Sequence, residues 1–361
     1  MSKANKYRLF LFPLSIIYGF VVWIRNKLFD YKILKQYEFF TPIISIGNIS
    51  VGGTGKTPHS EYLIRLLKDK FNVVLISRGY GRNTKGFVLA NKDSTSETIG
   101  DEPTQIKRKF KDITVAVDNK RVRAINKILE DNETNTIILD DAFQHRYVKP
   151  GMNILLIDYY NPISKDHILP VGNLREPAKE KDRAHIIFIT KSPKNIKPIN
   201  RRIIEKDLDL YPYQSLYFTT FNYGSPINIF NDNNIDLSFV DTFIVLTGIA
   251  NPEPLYKYLK HFSENIIKLK FYDHHKWTQE DFNKIKKKYE QTENENKIII
   301  TTEKDYIRLI DSDFVEIIKD LPIYYIPVEV DFLDQNKKKV FNKQIIDYVE
   351  KNKRSYKLYQ N

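Results

Sequence analysis

Residues 47–58, GNISVGGTGKTP, combine glycines, one lysine and hydroxyl side chains in an order suited to phosphate chemistry. Glycines let successive backbone N–H groups curl around phosphate oxygens, a lysine directly behind them reaches the β- and γ-oxygens, and the following hydroxyl ligates Mg²⁺. Ser50, Val51, Gly52, Gly53, Thr54, Gly55, Lys56 and Thr57 are therefore the expected nucleotide-binding stretch, with Lys56 neutralising phosphoryl charge and Thr57 on the metal. The general pattern G-x-x-x-x-G-K-[ST] asks for glycine where Ser50 stands; Gly52 and Gly53 supply the freedom instead. Such a loop needs an acid at the end of a neighbouring buried strand, and the apolar run 136–139 ends in Asp140 and Asp141. Asp140, with Asp141 second, is the expected partner of the metal.

These groups must be held by a strand before the loop and a helix after it. The apolar run 42–46 and the helix-patterned stretch 59–70 stand in those places, and Pro58 fits a first helical turn, where its missing N–H costs little. Further apolar runs at 73–76, 154–157, 186–189, 243–246 and 298–300, separated by polar segments of helical length, read as strands buried on both faces. The pattern predicts an α/β fold: a P-loop NTPase-like, doubly wound, mostly parallel sheet with a second, smaller α/β domain. The Pro- and Lys-containing stretch 191–203 suggests the boundary, giving a P-loop core over 36–200 and a smaller C-terminal domain over 201–361 that contributes to the cleft.

The 361 residues are 42% hydrophobic and 13% aromatic, enough apolar material for sizeable cores, so disorder is excluded. With no cysteine there are no disulfides, thiolate nucleophiles or Cys-type metal sites. The net charge of +12 is unevenly spread: residues 1–35 hold seven basic groups against Asp30, half of the surplus. Between Arg8 and Arg25 run sixteen uncharged residues, LFLFPLSIIYGFVVWI. A bilayer-spanning helix needs about 20 apolar residues. This shorter run carries Pro13 and Gly19, and no A-x-A-like cleavage site follows it. A span and a signal peptide are thus disfavoured. The expectation over 1–35 is a membrane-associated helix lying in the interface, its basic flanks facing anionic headgroups, since a core helix would show a polar stripe.

Taken together, the motifs resemble one family, the tetraacyldisaccharide 4'-kinases. They are GNISVGGTGKTP (47–58), SRGYGR (77–82), GDEP (100–103), DDAFQH (140–145), LPVGNLREP (169–177), TGIANP (247–252), DHH (273–275) and TEKD (302–305). Ala142 stands where that family usually has glycine and Asn173 replaces a commoner proline; neither removes a functional group. The resemblance implies transfer of the γ-phosphoryl of MgATP to the 4'-hydroxyl of tetraacyldisaccharide 1-phosphate, the lipid A precursor. It places the chain at the cytoplasmic face of a bacterial inner membrane, peripheral or monotopic, among anionic lipids. A sugar hydroxyl is a poor nucleophile near neutral pH, so a proton acceptor is wanted. By the resemblance, Asp101 takes the proton and His274 orients it, His275 being the alternative. The two lie far apart in sequence, so domain closure is expected to unite them.

Other motif residues take supporting parts. Glu102 is expected beside Asp140 as a metal or water ligand. Arg78 and Arg175 suit phosphate or substrate charge because a guanidinium grips oxyanions bidentately, and Tyr80 is placed at the entrance. Gln144 and His145 are expected to orient groups or pack beneath the loop, and Glu303, Lys304 and Asp305 to support the site from a strand's carboxyl end. The lysine runs 286–288 and 337–339 read as solvated faces. A guanine-binding signature is missing, since Asn195-Ile196-Lys197-Pro198 does not supply N-K-x-D. Nothing beyond charge suggests nucleic acid, and neither a nucleic-acid nor an obligate protein partner is expected.

Overall fold

The computed structural model describes residues 8–131, 133–249, 251–272 and 275–359. The first half of the chain runs α1 (Phe12–Asp30), β1 (Ile43–Gly47), α2 (Lys56–Leu67), β2 (Val73–Ser77), β3 (Val88–Leu89), α3 (Ser96–Ile99), α4 (Asp101–Lys109), β4 (Thr114–Val117), α5 (Arg121–Asp131), β5 (Thr136–Asp140), β6 (Met152–Asp158) and β7 (Ile186–Thr190). The second runs α6 (Pro198–Leu208), β8 (Ser215–Tyr223), β9 (Ile227–Asn228), β10 (Thr242–Thr247), α7 (Glu253–Leu259), β11 (Ile266–Lys270), α8 (Gln279–Glu290), β12 (Lys297–Thr302), α9 (Glu303–Ile310), β13 (Ile323–Ile326), β14 (Val328–Phe332) and α10 (Gln335–Tyr359).

Among the described residues the strands form two sheets, nine-stranded in the order β14-β8-β7-β6-β1-β5-β2-β4-β3 and five-stranded in the order β11-β10-β12-β13-β9. Pairing is parallel from β8 to β4 and from β11 to β13, with antiparallel strands at β14, β3 and β9. The apolar runs became strands because helices cover both faces. Ile44, Ile46 and Ile138 meet Leu63, Ile64 and Leu67 of α2 on one side. Ile43, Ile137 and Leu139 meet Ala124, Ile125 and Ile128 of α5 on the other. At about 25 cal/mol per Å² of apolar area removed from water, this two-sided burial is what forces the run of five buried residues in β1 and again in β5.

The sheets divide the chain differently from the boundary drawn at 191–203. β8 extends the first sheet beyond that point, and β14 pairs back onto it, Val330 opposite Phe221. α10 follows it there, burying Phe341, Ile345 and Val349 against Ile44, Ile154 and Phe188. The smaller sheet is therefore an insertion between β8 and β14. The two crossings lie side by side, Gly224 N donating to Pro327 O at 2.9 Å.

Most of the N-terminal apolar run is helical, within α1, which docks by Ser15 and by its C-terminal end. Ser15, Asn26 and Phe29 are buried, whereas Phe12, Leu14, Ile16, Ile17, Phe20, Val21 and Trp23 are at least half exposed. Among the described residues no helix is long and apolar enough to cross a membrane.

Candidate functional site

The site forms at the carboxyl ends of β1 and β5, where parallel sheets leave a crevice between diverging connections. Register puts Ile46 of β1 opposite Asp140 of β5, so the strand-end acids stand beside the first residue of the glycine loop. The loop turns on Gly52 (φ 101°) and Gly55 (φ 87°), both in the left-handed region. Gly55 is doubly constrained, because a Cβ there would lie 2.4 Å from the Phe221 ring. Gly55 caps α2, and Lys56 and Thr57 open that helix, so its positive end faces any anion in the loop.

Asn48, within the glycine motif, braces the loop from inside. Its Nδ2 donates to Thr54 Oγ1 at 2.9 Å, its Oδ1 lies 3.5 Å from Lys56 Nζ, and its carbonyl accepts from Gln144 Nε2 at 2.8 Å. From outside, the 166–176 segment pairs with the loop: Val51 N donates to Asn173 O and Arg175 N to Ile49 O, both at 2.7 Å, with Ser50 bridged to Leu174. Ser50 is buried in that bridge, which accounts for a residue that needs no glycine's freedom. Val51, Gly52 and Gly53 are exposed along the mouth.

Lys56, Asp141 and Arg175 converge there. Lys56 Nζ is 3.6 Å and Arg175 Nη1 3.5 Å from the Asp141 carboxylate. Asp140 is buried and takes a hydrogen bond from Ser60 Oγ at 3.0 Å. Burial first, then the neighbouring Asp141 charge, pushes its carboxyl up to about 6. Glu102 adds to that push, which places its charge within reach of Asp140, and it pairs with Lys304 at 3.3 Å. A divalent cation relieves this kind of crowding of carboxylates. Thr57, Asp140, Asp141 and Glu102 carry oxygen donors, the type Mg²⁺ takes, although among the described residues no three acidic or histidine side chains are gathered closely enough to hold a metal ion.

Asp101 is the first residue of α4, entered through Gly100 at φ 93°. A Cβ on Gly100 would meet Tyr80 O at 2.8 Å and one on Gly79 would meet Ile99 O at 2.8 Å, so the SRGYGR and GDEP turns touch backbone to backbone. The Asp101 carboxylate accepts from Arg308 Nε and Nη2 at 2.9 and 2.7 Å. Arg308 belongs to α9 of the smaller sheet, and nothing local in the sequence marks it. His274 lies outside the described residues. His275 Nε2 is 2.8 Å from Asp281 Oδ2, the acid that also completes the N-terminal cap of α8 with Thr278, and its ring packs on Phe271 and Trp277. His275 is thus committed to its own helix.

A cationic patch borders the acids. Arg78 and Tyr80 are exposed at the end of β2. Arg121 is buried, and burial lowers its guanidinium to about 10; its Nε has no hydrogen-bond partner among the described residues. Burial and then the charges of Arg121, Arg25 and Arg78 hold His145 neutral, its imidazolium down at about 4. Arg121 and Arg25 were not among the residues expected from sequence, Arg25 because it reads only as a flank of the apolar run. Beneath the loop Glu176 is almost fully buried and gathers Arg183 at 2.5 Å, Arg25 at 3.7 Å, Asn26 at 3.4 Å and Gln144 at 3.3 Å. His59 is fully enclosed under Gly55 and is a further residue that sequence reasoning missed.

Comparison with known proteins accords with this arrangement. A family model described as tetraacyldisaccharide-1-P 4'-kinase matches residues 7–348. A tetraacyldisaccharide 4'-kinase of Phocaeicola vulgatus is 48% identical over 98% of both chains. Its namesake in Bacteroides thetaiotaomicron is 46% identical over 96% of this chain and 94% of its own. Among solved structures, an "apo"-form LpxK from Aquifex aeolicus in complex with ATP superposes with a TM-score of 0.74 at 27% identity, covering 95% of this chain and 99% of that one.

Proposed function

The chain belongs to the tetraacyldisaccharide-1-P 4'-kinase family, an ATP-binding kinase family of lipid A biosynthesis, and from that premise we propose that it transfers the γ-phosphoryl group of MgATP to the 4'-hydroxyl of tetraacyldisaccharide 1-phosphate. The observation that carries the reading is the meeting of two features at one crevice, a glycine loop ending in Lys56 and the Asp140–Asp141 pair one strand away, with the start of α4 near enough for the charge of Glu102, next to Asp101, to act on Asp140.

In this reading residues 50–57 bind the nucleotide's phosphates through backbone N–H groups. Lys56 and Arg175, both drawn to Asp141 in this form, turn their charge to phosphoryl oxygens when the nucleotide enters. Thr57, Asp140, Asp141 and Glu102 are the residues that would hold Mg²⁺. When bound, it would supply neutralisation of the phosphoryl charge. The 4'-oxygen forms a bond to the γ-phosphorus as the bond from phosphorus to the β–γ bridging oxygen breaks, leaving ADP. The hydroxyl proton passes to Asp101, with His274 as the expected relay. Arg78 and Tyr80, exposed beside the acids with Arg121 and His145 behind them, suit the acceptor's own phosphate.

The lipid acceptor gives the exposed apolar face of α1 a purpose. A row including Phe12, Ile16, Ile17, Phe20 and Trp23 on the surface, flanked by the basic groups of residues 1–35, supports peripheral or monotopic attachment to an anionic leaflet, which for this substrate is the cytoplasmic face of the inner membrane.

The test is incubation of the full chain in detergent micelles with MgATP and tetraacyldisaccharide 1-phosphate, the product analysed by mass spectrometry and phosphorus NMR. A new 4'-phosphate and equimolar ADP are expected, both lost in Asp101→Ala. A folded, ATP-binding protein that forms no 4'-phosphate refutes the proposal. Vesicle flotation comparing the full chain with one starting at Lys32 checks the attachment, and equal flotation of the two would sink it.

A further inference from the structure

We propose that Arg308 is the positioning residue for Asp101, fixing the carboxylate that accepts the hydroxyl proton. The inference rests on the reading of Asp101 as that acceptor. Two donors of Arg308, Nε and Nη2, fall on the same oxygen, Oδ2, at 2.9 and 2.7 Å. Two N–H groups of one rigid guanidinium converging on one oxygen hold that oxygen in place more firmly than a freely rotating ammonium does. The side chains are only 8% and 13% exposed, so solvent neither screens the pair nor competes for it.

Arg308 is itself held. Its Nη1 lies 3.6 Å from Asp305 Oδ1. Asp305 Oδ2 accepts from Gly248 N at 2.9 Å and from Thr302 Oγ1 at 2.7 Å. A line of polar contacts thus runs from the turn after β10, through the start of α9, to Asp101 across the two sheets. It gives a role to TGIANP and TEKD, two motifs that the nucleotide chemistry leaves unused.

A plain fastening of α4 to α9 does not need this contact. The same helices are tied by Arg108 to Asp311, by Lys109 to Glu303 at 2.5 Å and by Lys304 to Glu102 at 3.3 Å. The Arg308 pair differs from the first two in ending on the reacting carboxylate.

The experiment is steady-state kinetics on the full chain in micelles with MgATP and tetraacyldisaccharide 1-phosphate. Displacement of a reacting group by about 1 Å costs up to about 100-fold, so Arg308→Gln is expected to lower kcat about 30-fold with KM for ATP within about twofold. Arg308→Lys, keeping the charge but losing the fork, is expected to lie about fivefold below wild type. Arg108→Gln, which loosens the same helix pair away from Asp101, is expected to keep kcat within about twofold. In an Asp101→Asn background Arg308→Gln should add nothing further.

If Asp101→Asn is inactive while Arg308→Gln keeps its kcat, the inference falls and the proton-acceptor reading stands. If Asp101→Asn keeps its kcat, that reading falls and takes the inference with it. An equal loss in Arg108→Gln overturns the inference in favour of general fastening. Should Arg308→Gln fail to fold, Arg308→Lys decides, and a kcat equal to wild type overturns the proposal.

Discussion

Acidification should loosen the nucleotide loop through one residue, His59. Its ring is fully enclosed between the loop and β8, Nδ1 2.8 Å from Gly55 O and Nε2 3.1 Å from Thr219 Oγ1. A carbonyl only accepts, so Nδ1 carries the hydrogen and Nε2 accepts from the threonine hydroxyl. That uses both nitrogens of a neutral ring, and a second proton on Nε2 would force the threonine hydroxyl to turn from donor to acceptor. Burial accordingly lowers the imidazolium from 6.5 to about 4. The sign follows: the unfolded chain binds the proton more tightly, so the stability contributed by neutral His59 is complete above pH 6.5 and is lost as pH falls from 6.5 towards 4. Between pH 8 and pH 5 the loss is about 2 kcal/mol, approaching about 3 kcal/mol at pH 4.

His59→Asn isolates the effect. The amide nitrogen can still donate to Gly55 O, whereas Thr219 loses its acceptor and a small cavity opens between Phe188 and Phe221, whose rings flank the imidazole. At pH 8 the variant is expected to be about 2–3 kcal/mol less stable. Because the asparagine does not titrate, the gap to wild type should narrow by about 2 kcal/mol at pH 5. Urea unfolding followed by circular dichroism at pH 8, 6.5 and 5 measures both curves, and other titrating groups, His145 and His185 among them, cancel in the difference. Parallel curves would refute the argument.

Gly55→Ala should weaken ATP binding at least about tenfold while the chain stays folded, because the new methyl meets the Phe221 ring and φ 87° strains any side chain; a nucleotide titration reads it. The Asp140 carboxyl, at about 6 in the free protein, must shed its proton to meet a cation, so the Mg²⁺ affinity of the ATP complex should fall about tenfold per pH unit below that value, measured by metal titrations at pH 7.5, 6 and 5. Lys109→Met leaves Glu61 and Glu303, which Lys109 bridges at 2.7 and 2.5 Å, buried without that cation; a loss of about 3 kcal/mol is expected in thermal or urea unfolding.

What was legible in the sequence was what is local. The glycine loop and the Asp140–Asp141 pair announce themselves because each needs its residues within a few positions of one strand end. The buried strands did so because two-sided burial leaves unbroken apolar runs. The return of β14 and α10 to the first sheet left no such mark: chain order places 328–359 after the small sheet, and only pairing with β8 reveals its home. Arg308 and His59 were silent for a related reason. Each looks like an ordinary polar helix residue, and its meaning comes from a partner 207 or 160 positions away.

The apolar run of α1 shows how far a local reading falls short. Its composition is that expected of a membrane-seeking segment, yet the polar side chains of α1 are the part that reaches the site. Ser15 Oγ donates to Ile168 O at 2.7 Å, Tyr18 Oη to Arg175 O at 3.0 Å, and Arg25 and Asn26 to Gln144 O and Glu176 at 2.5 and 3.4 Å. Every one of these acceptors lies in, or hydrogen-bonds to, the 166–176 segment, and Asn173 and Arg175 of that segment pair with the glycine loop. One layer of side chain and one strand-like segment therefore separate the exposed apolar face from the phosphates' seat. A helix attached by a flexible tether would leave the distance between lipid surface and nucleotide undefined. A docked one fixes it, and under the proposed function an acceptor anchored in a bilayer requires that distance to be fixed before proximity can lower the barrier.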